Sequence, residues 1–252
     1  MRKIGKTITH YSEKQLSNEL PMIDLAASFL ADKNVPDDQK LRNIALFLKP
    51  QVIARILYFH DIYQKIVDIP GVVLEFGVQY GASLALLMNL RNCMEYFNIS
   101  RRIVGFDTFC GFPSVCEHDK NNEVGDYGVS AVDRDRLASV MEFIDSLSPD
   151  PSVKKYELVE GTVFETLPVW LDANPQAIIA LAHFDLDLFE PTEFVLEKIN
   201  DRLTRGSVLV FDELNHPEFP GETLAVMRRL GLRNLALRRH PLQPFCAWAV
   251  VE

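Results

Sequence analysis

The apolar and polar positions of the chain change period several times, and each change marks an element. Between Leu41 and Val67 the residues Ile56, Phe59, Tyr63, Ile66 and Val67 recur at helical spacing. Pro50 lies in this stretch and separates or kinks two helices. Asp68-Ile69-Pro70-Gly71 ends the second helix and turns into the apolar run Val72–Phe76, which reads as a strand. Strand and helix patterns alternate from there. Further strands are expected over Arg102–Asp107, Tyr156–Glu160, Ala177–Asp185 and Ser207–Asp212. Helices are expected over Ser83–Tyr96, Arg134–Leu147, Phe164–Ala173, Pro191–Leu203 and Gly221–Leu230. In the second of these, Leu137, Met141, Ile144 and Leu147 share one face. The end of the chain, Asn234–Arg239 and Phe245–Val251, reads as two strands joined at His240–Pro244.

Alternating strands and helices imply a mainly parallel sheet covered on both faces, with right-handed crossovers. The last connection is too short for a parallel crossover, so the closing pair is antiparallel. The expected fold is a doubly wound α/β sheet of seven strands with a C-terminal antiparallel hairpin and an N-terminal helical extension. Residues 1–40 are polar and irregular, with an apolar patch near Met22–Leu30. They read as short helices or an arm of the kind that packs on a partner subunit, so a homo-oligomer is expected. One domain, 1–252, is expected, with 1–70 as arm or cap and 71–252 as the cofactor-binding core. Residues 108–130 are rich in Gly, Pro, Asn and Asp without periodicity, and are expected to form a long loop that acts as a mobile flap.

Composition narrows the function classes. At 48% hydrophobic and 24% charged residues, the chain resembles an ordinary globular protein. No apolar run is long enough to span a bilayer, and no apolar signal core follows the basic Met1–Lys6, so a cytoplasmic protein without a membrane partner is expected. The net charge of −9 and the absence of a basic run make nucleic acid a poor partner. The four cysteines, Cys93, Cys110, Cys116 and Cys246, form no CxxC pair and are expected to be reduced thiols.

Two stretches carry the candidate chemistry. In the first, Val72–Phe76 runs into Glu75-x-Gly77-x-x-x-Gly81-x-Ser83 and then a helical pattern. Such a strand, glycine turn and helix leave room for a ligand at the helix N-terminus. The G-x-G-x-x-G of nicotinamide sites is absent, as is G-x-x-x-x-G-K-[ST]. Three successive strands end in Glu75, Asp107 and Glu160. A glycine pair or a strand-end acid alone is common in α/β turns; the set carries more weight. In the second stretch, Asp185 and Asp187 follow an apolar strand, and Asp212-Glu213 ends the next. Carboxylates converging there would raise one another's pKa, and a hard divalent cation, Mg²⁺ first, would relieve the repulsion. Asp185, Asp212 and Glu213 are the expected metal ligands, with Asp187 ranked below Asp185 because the chain is expected to turn there.

The first stretch resembles the first motif of class I S-adenosylmethionine-dependent methyltransferases. That resemblance implies that Gly77 and Gly81 pass beside the methionine part of the cofactor and that Asp107 holds the ribose hydroxyls. It places Glu75 toward the cofactor's amino group and Glu160-Gly161 at adenosine, with Ser83 opening the helix. The second stretch resembles metal-dependent O-methyltransferases. Leu188 stands where the catechol type has its lysine, and the better match is to the macrocin O-methyltransferase family, which methylates deoxysugars in antibiotic pathways. Its signatures resemble Phe106–Pro113, Gly161–Pro168 and Asp185–Thr192, and the resemblance runs from about Leu41 to Val226. The implied activity is metal-assisted O-methylation of a deoxysugar hydroxyl, nucleotide-linked or on a glycoside. Asp185 is the first choice for general base, and His216 in its loop is preferred to His183 on its apolar strand. The alternatives are an O-methyltransferase for a phenolic or other small hydroxylated metabolite, and a non-catalytic cofactor-binding scaffold.

Overall fold

The computed structural model of the protein describes residues 13–120 and 122–252. The part of the expected arm before Glu13 lies outside the described residues, as does Asn121 of the expected flap. The chain divides into two compact units after Ile56. The first contains the helix α1 (Glu13–Ala31), which carries Pro21, then α2 (Asp37–Arg42) and a single 3₁₀ turn, Ile44–Phe47. Phe29 and Phe47 touch with ring centroids 5.3 Å apart. Leu20, Ile23, Leu25, Leu30, Leu41 and Leu46 are exposed. Pro50 separates two helical segments and kinks none: it is the first residue of α3 (Pro50–Gln64), after the 3₁₀ turn, where its missing N–H costs nothing.

The second unit begins within α3, because Tyr58, Phe59, Ile62, Tyr63 and Ile66 are fully buried in the core of the sheet. Strands β1 (Val72–Phe76), β2 (Ile103–Asp107), β3 (Tyr156–Glu160), β4 (Ile179–Phe184), β5 (Leu203–Phe211), β6 (Arg238–His240) and β7 (Gln243–Val250) form one sheet in the order β3-β2-β1-β4-β5-β7-β6. The first five strands are parallel, and β7 pairs antiparallel with both β5 and β6. The expected strand from Asn234 is shorter, since a 3₁₀ turn at Leu232–Asn234 occupies its start.

Alternation along the strands divides the core. Val73, Ile103, Leu181, Val208 and Val210 face one side, with residues of α3, of α4 (Ala82–Met94) and of α5 (Ala131–Ser146). Leu74, Phe76, Phe106, Phe184, Leu209 and Phe211 face the other, with α6 (Val163–Ala173), α7 (Phe189–Ile199) and α8 (Pro220–Arg229). The central strands β1, β2 and β4 and the end of β5 are thus covered on both faces, which explains their apolar runs without alternation in the sequence.

The last apolar residues of four strands are phenylalanines in register: Phe106 beside Phe76, Phe76 beside Phe184, and Phe184 beside Phe211. Their rings lie 5.1, 5.6 and 5.0 Å apart across the sheet. This fully buried ladder fixes the strand ends at one level. The next residues are Asp107, Gly77, Asp185 and Asp212, and the strand ladder reaches them: Gly77 N–H donates to Phe106, Asp185 N–H to Phe76 and Asp212 N–H to Phe184. The candidate residues of distant segments therefore meet on one edge.

Candidate active site

The glycine turn is shaped by close approach. Gly77 has φ +91°, and a Cβ there would lie 1.8 Å from the carbonyl oxygen of Asp185. Only glycine lets the turn after β1 run against the turn after β4. Gly81, at φ +83°, caps α4 and donates its N–H to Val78 at 2.7 Å. Ser83 is the second residue of that helix and is half-buried. Asp107 binds the turn together: Oδ2 accepts the N–H groups of Val78 at 2.6 Å and Gln79 at 2.8 Å, and Oδ1 accepts that of Phe109 at 2.6 Å. Glu160 is exposed and ion-paired with Arg134 at 2.9 Å. Gly161 donates its N–H to the carbonyl of Asp107 at 2.9 Å.

Glu75 turns into the sheet. It is 1% exposed, and its Oε1 lies 3.5 Å from Nδ1 of His183. The other ring nitrogen of His183 lies 3.5 Å from Oδ1 of Asp212, which also accepts from Cys246 Sγ at 3.1 Å. A string of buried charge thus crosses three adjacent strands, Glu75–His183–Asp212. Burial alone would lower the pKa of His183; the two carboxylates outweigh it and raise it to about 10, so the ring is an imidazolium at neutral pH. His216 is placed differently. It is buried between the rings of Phe219 and Phe245, and its Nδ1 accepts the Glu218 N–H at 3.2 Å.

The carboxylates form two overlapping groups. His183, Asp185 and Asp212 each offer a ligand atom within 4.8 Å of the others, and so do Asp185, Asp187 and Glu213. Asp185 belongs to both. The chain does turn at Asp187, at φ +60°, yet the turn buries that carboxylate with Asp185 and Glu213 rather than removing it. Burial, then the charge of Asp212, raises Asp187 to about 7. Burial, then Asp187, Asp212 and Asp185, holds Glu213 well above the usual carboxylate range. Groups strained in this way fit a divalent cation: several oxygens converge within ligand reach and repel one another without it.

Three residues at the site escape a reading of the sequence. Asp119, from the 108–130 segment, accepts the Phe189 N–H at 2.7 Å and so caps α7 from a distance; it also accepts the Cys116 N–H at 2.9 Å. Tyr127 of the same segment has φ +64° and packs on Phe112. Burial, then Asp187 and Glu213, raises its pKa, which puts the phenol in the field of the acid cluster. Glu222, in the first turn of α8, is fully buried and accepts the Glu213 N–H at 3.1 Å.

A parallel sheet of this order with an antiparallel closing strand is the methyltransferase fold, and the family match makes the chain an S-adenosylmethionine-dependent O-methyltransferase. The macrocin O-methyltransferase family (TylF) matches residues 53–228, and the chain belongs to that family. It is similar to a crystal structure of CalS11, a calicheamicin methyltransferase, at 37% identity and TM-score 0.89 over 96% of this chain and 94% of the other. An apo structure of CalS11, described as a TDP-rhamnose 3'-O-methyltransferase of calicheamicin biosynthesis, aligns at 35% identity and TM-score 0.82 over 96% of each chain. The O-methyltransferase NovP shares the fold, at 17% identity and TM-score 0.59 over 79% of each chain. A search of the curated proteins gives no match. Among the described residues, no helix is long and apolar enough to cross a membrane.

Proposed function

We propose that the protein transfers a methyl group from S-adenosylmethionine to a hydroxyl of a nucleotide-linked deoxysugar in natural-product biosynthesis, assisted by a divalent cation, Mg²⁺ first. The observation that carries the sugar is the 35% identity, over 96% of both chains, to a TDP-rhamnose 3'-O-methyltransferase. The cation is supported by Asp185, Asp187 and Glu213, each of which offers a carboxylate oxygen within 4.8 Å of the others. When bound, S-adenosylmethionine supplies an electrophilic methyl group, and a divalent cation lowers the pKa of a hydroxyl.

The chain's own residues would do the rest. The turn Gly77–Gly81, tied by Asp107, would hold the cofactor at the N-terminus of α4, with Glu75 behind it and Ser83, Glu160 and Gly161 around it. Asp185, Asp212 and Glu213, joined by Asp187, would hold the cation. A carboxylate oxygen of Asp185 would take the proton of the acceptor hydroxyl. What favours Asp185 over His216 for that proton is that His216 is packed between two phenylalanine rings with Nδ1 already accepting a hydrogen bond. Because Gly77 runs against Asp185, the cofactor turn and the base would keep a fixed relation, which an in-line transfer requires. The expected homo-oligomer belongs to the same proposal, supported by the apolar side chains exposed on the N-terminal unit; light scattering measures it.

The test is transfer from labelled S-adenosylmethionine to TDP-deoxysugars and to phenols, before and after chelation. Methylation of a TDP-deoxysugar, lost with EDTA and restored by Mg²⁺, is expected. Transfer to phenols alone would refute the sugar, and full turnover after thorough chelation would refute the cation.

A further inference from the structure

We propose that Glu222 is a positioning residue of the cation site: its buried carboxylate holds the turn of Asp212 and Glu213 in place through the Glu213 N–H. This rests on the cation reading above and names a residue of α8, an element that supplies none of the proposed ligands.

Glu222 is the third residue of α8, after Pro220 and Gly221. An acid at this position ordinarily reaches back to the helix's own N-cap N–H and stays in contact with water. Here it does neither. Its Oε2 accepts the N–H of Glu213, nine residues earlier in the chain, at 3.1 Å. The side chain is 0% exposed, and among the described residues Oε1 has no hydrogen-bond partner. Such an orphaned carboxylate oxygen costs stability unless something is bound nearby.

The backbone brings it there. A Cβ on Gly221 would lie 2.6 Å from the Phe189 nitrogen, 2.7 Å from Asp119 Oδ1 and 2.8 Å from the Asp187 carbonyl oxygen. The first turn of α8 therefore packs directly on the turn that carries Asp187, which puts Glu222 under Glu213. Burial first, and then the charges of Asp187, Asp212 and Asp185, raise its pKa well above the ordinary value, while the bond from the Glu213 N–H pulls the other way. The helix N-terminus offsets only part of that repulsion. An apolar side chain would fill the same space without that cost but would leave the Glu213 N–H unpaired, and the bond to that N–H fixes the ligand-bearing turn.

The experiment measures Mn²⁺ binding by the loss of its free paramagnetic resonance signal, in wild type, E222L, E222Q, E213Q and the E222L/E213Q double variant. Calorimetry of S-adenosylmethionine and the melting temperature of the metal-free protein are read alongside. E222L fills the same buried space but leaves the Glu213 N–H without its acceptor, while E222Q keeps an acceptor there. Weakening of Mn²⁺ binding by about 10–100-fold is expected in E222L, as for other partners behind metal ligands, and binding near that of wild type in E222Q. Cofactor affinity should be unchanged in both. A purely structural role would move the melting point down and leave the metal constant alone. The double variant should lose less than the product of the single losses, since the two residues act through one turn. Wild-type Mn²⁺ affinity in E222L, or equal weakening in E222L and E222Q, would overturn the proposal alone. A wild-type protein that takes up no Mn²⁺ would overturn the cation reading and the proposal with it.

Discussion

Gly77→Ala tests whether the cofactor turn and Asp185 form one rigid unit. Two effects separate in this substitution. The first is backbone strain, since an L side chain at φ +91° costs about 1–3 kcal/mol. The second is overlap. The new methyl would sit 1.8 Å from the Asp185 carbonyl oxygen, where Cβ contacts under 3.0 Å essentially never occur, so one turn must move by at least about 1 Å. The partner atom is backbone, tied through Asp185 N–H to Phe76 at 2.8 Å, and cannot rotate aside as a side chain would. A shift of that size at a transfer site costs about 10²-fold in rate. Gly125→Ala is the control: φ is +86°, yet nothing lies within 4 Å of its added Cβ. It should lose only the strain, a melting shift of about 2–4 °C per kcal/mol for a chain of this size. Turnover, cofactor affinity by calorimetry and thermal melts are measured for both. We expect Gly77→Ala to lose turnover about 10²-fold and to bind S-adenosylmethionine more weakly, while Gly125→Ala keeps cofactor affinity. Equal behaviour of the two variants would refute the role of the contact, leaving strain as the whole effect.

Two further predictions concern pH and the glycine turn. Asp187 titrates near 7 in the folded protein and His183 near 10, each above its unfolded value, so the folded state binds more protons between about pH 4 and 10. Stability of the metal-free protein should therefore fall as pH rises through that window, the His183 part by a few kcal/mol between about pH 6.5 and 10; saturating Mg²⁺ should flatten the segment below pH 7, and a metal-free melting temperature that rises from pH 5 to 9 would contradict the assignment. Asp107→Ala removes the acceptor of three backbone N–H groups, worth about 2–4 kcal/mol after water replaces part of them; denaturant melts and calorimetry should show lower stability and weaker cofactor binding, and unchanged values in both would mean that the turn stands without it.

Much of the site was legible because strand-end chemistry is local. An apolar run followed by Gly or Asp marks where a buried strand reaches the edge of its sheet, so Gly77, Asp107, Asp185 and Asp212 could be picked out one by one. A sharper signal was also present. Four strands end in Phe followed by Gly or Asp, at Phe76, Phe106, Phe184 and Phe211, and those rings set the common level of the edge. Asp119 and Glu222 were not legible. An acid in a loop and an acid in a first helical turn are ordinary solvent-facing residues in sequence, and only packing makes them buried. The two histidines illustrate the same limit. Local context separates them only as one on an apolar strand and one in a loop, and it does not show that the first is held between Glu75 and Asp212 and the second between two phenylalanine rings.

The sequence by itself determined the periods, the glycine turns and the order of strands and helices, and with them a parallel sheet closed by an antiparallel pair. These depend on neighbours within a few residues, where hydrophobic spacing and turn chemistry act. Tertiary structure alone decided which carboxylates share a cation-sized space. It joined Asp187 to Asp185 and Glu213, set His183 between two acids, and pressed α8 onto the Asp187 turn through Gly221. Those relations are distances between segments far apart in the chain, and they exist only once the sheet has brought the strand ends together and burial has removed the water between them.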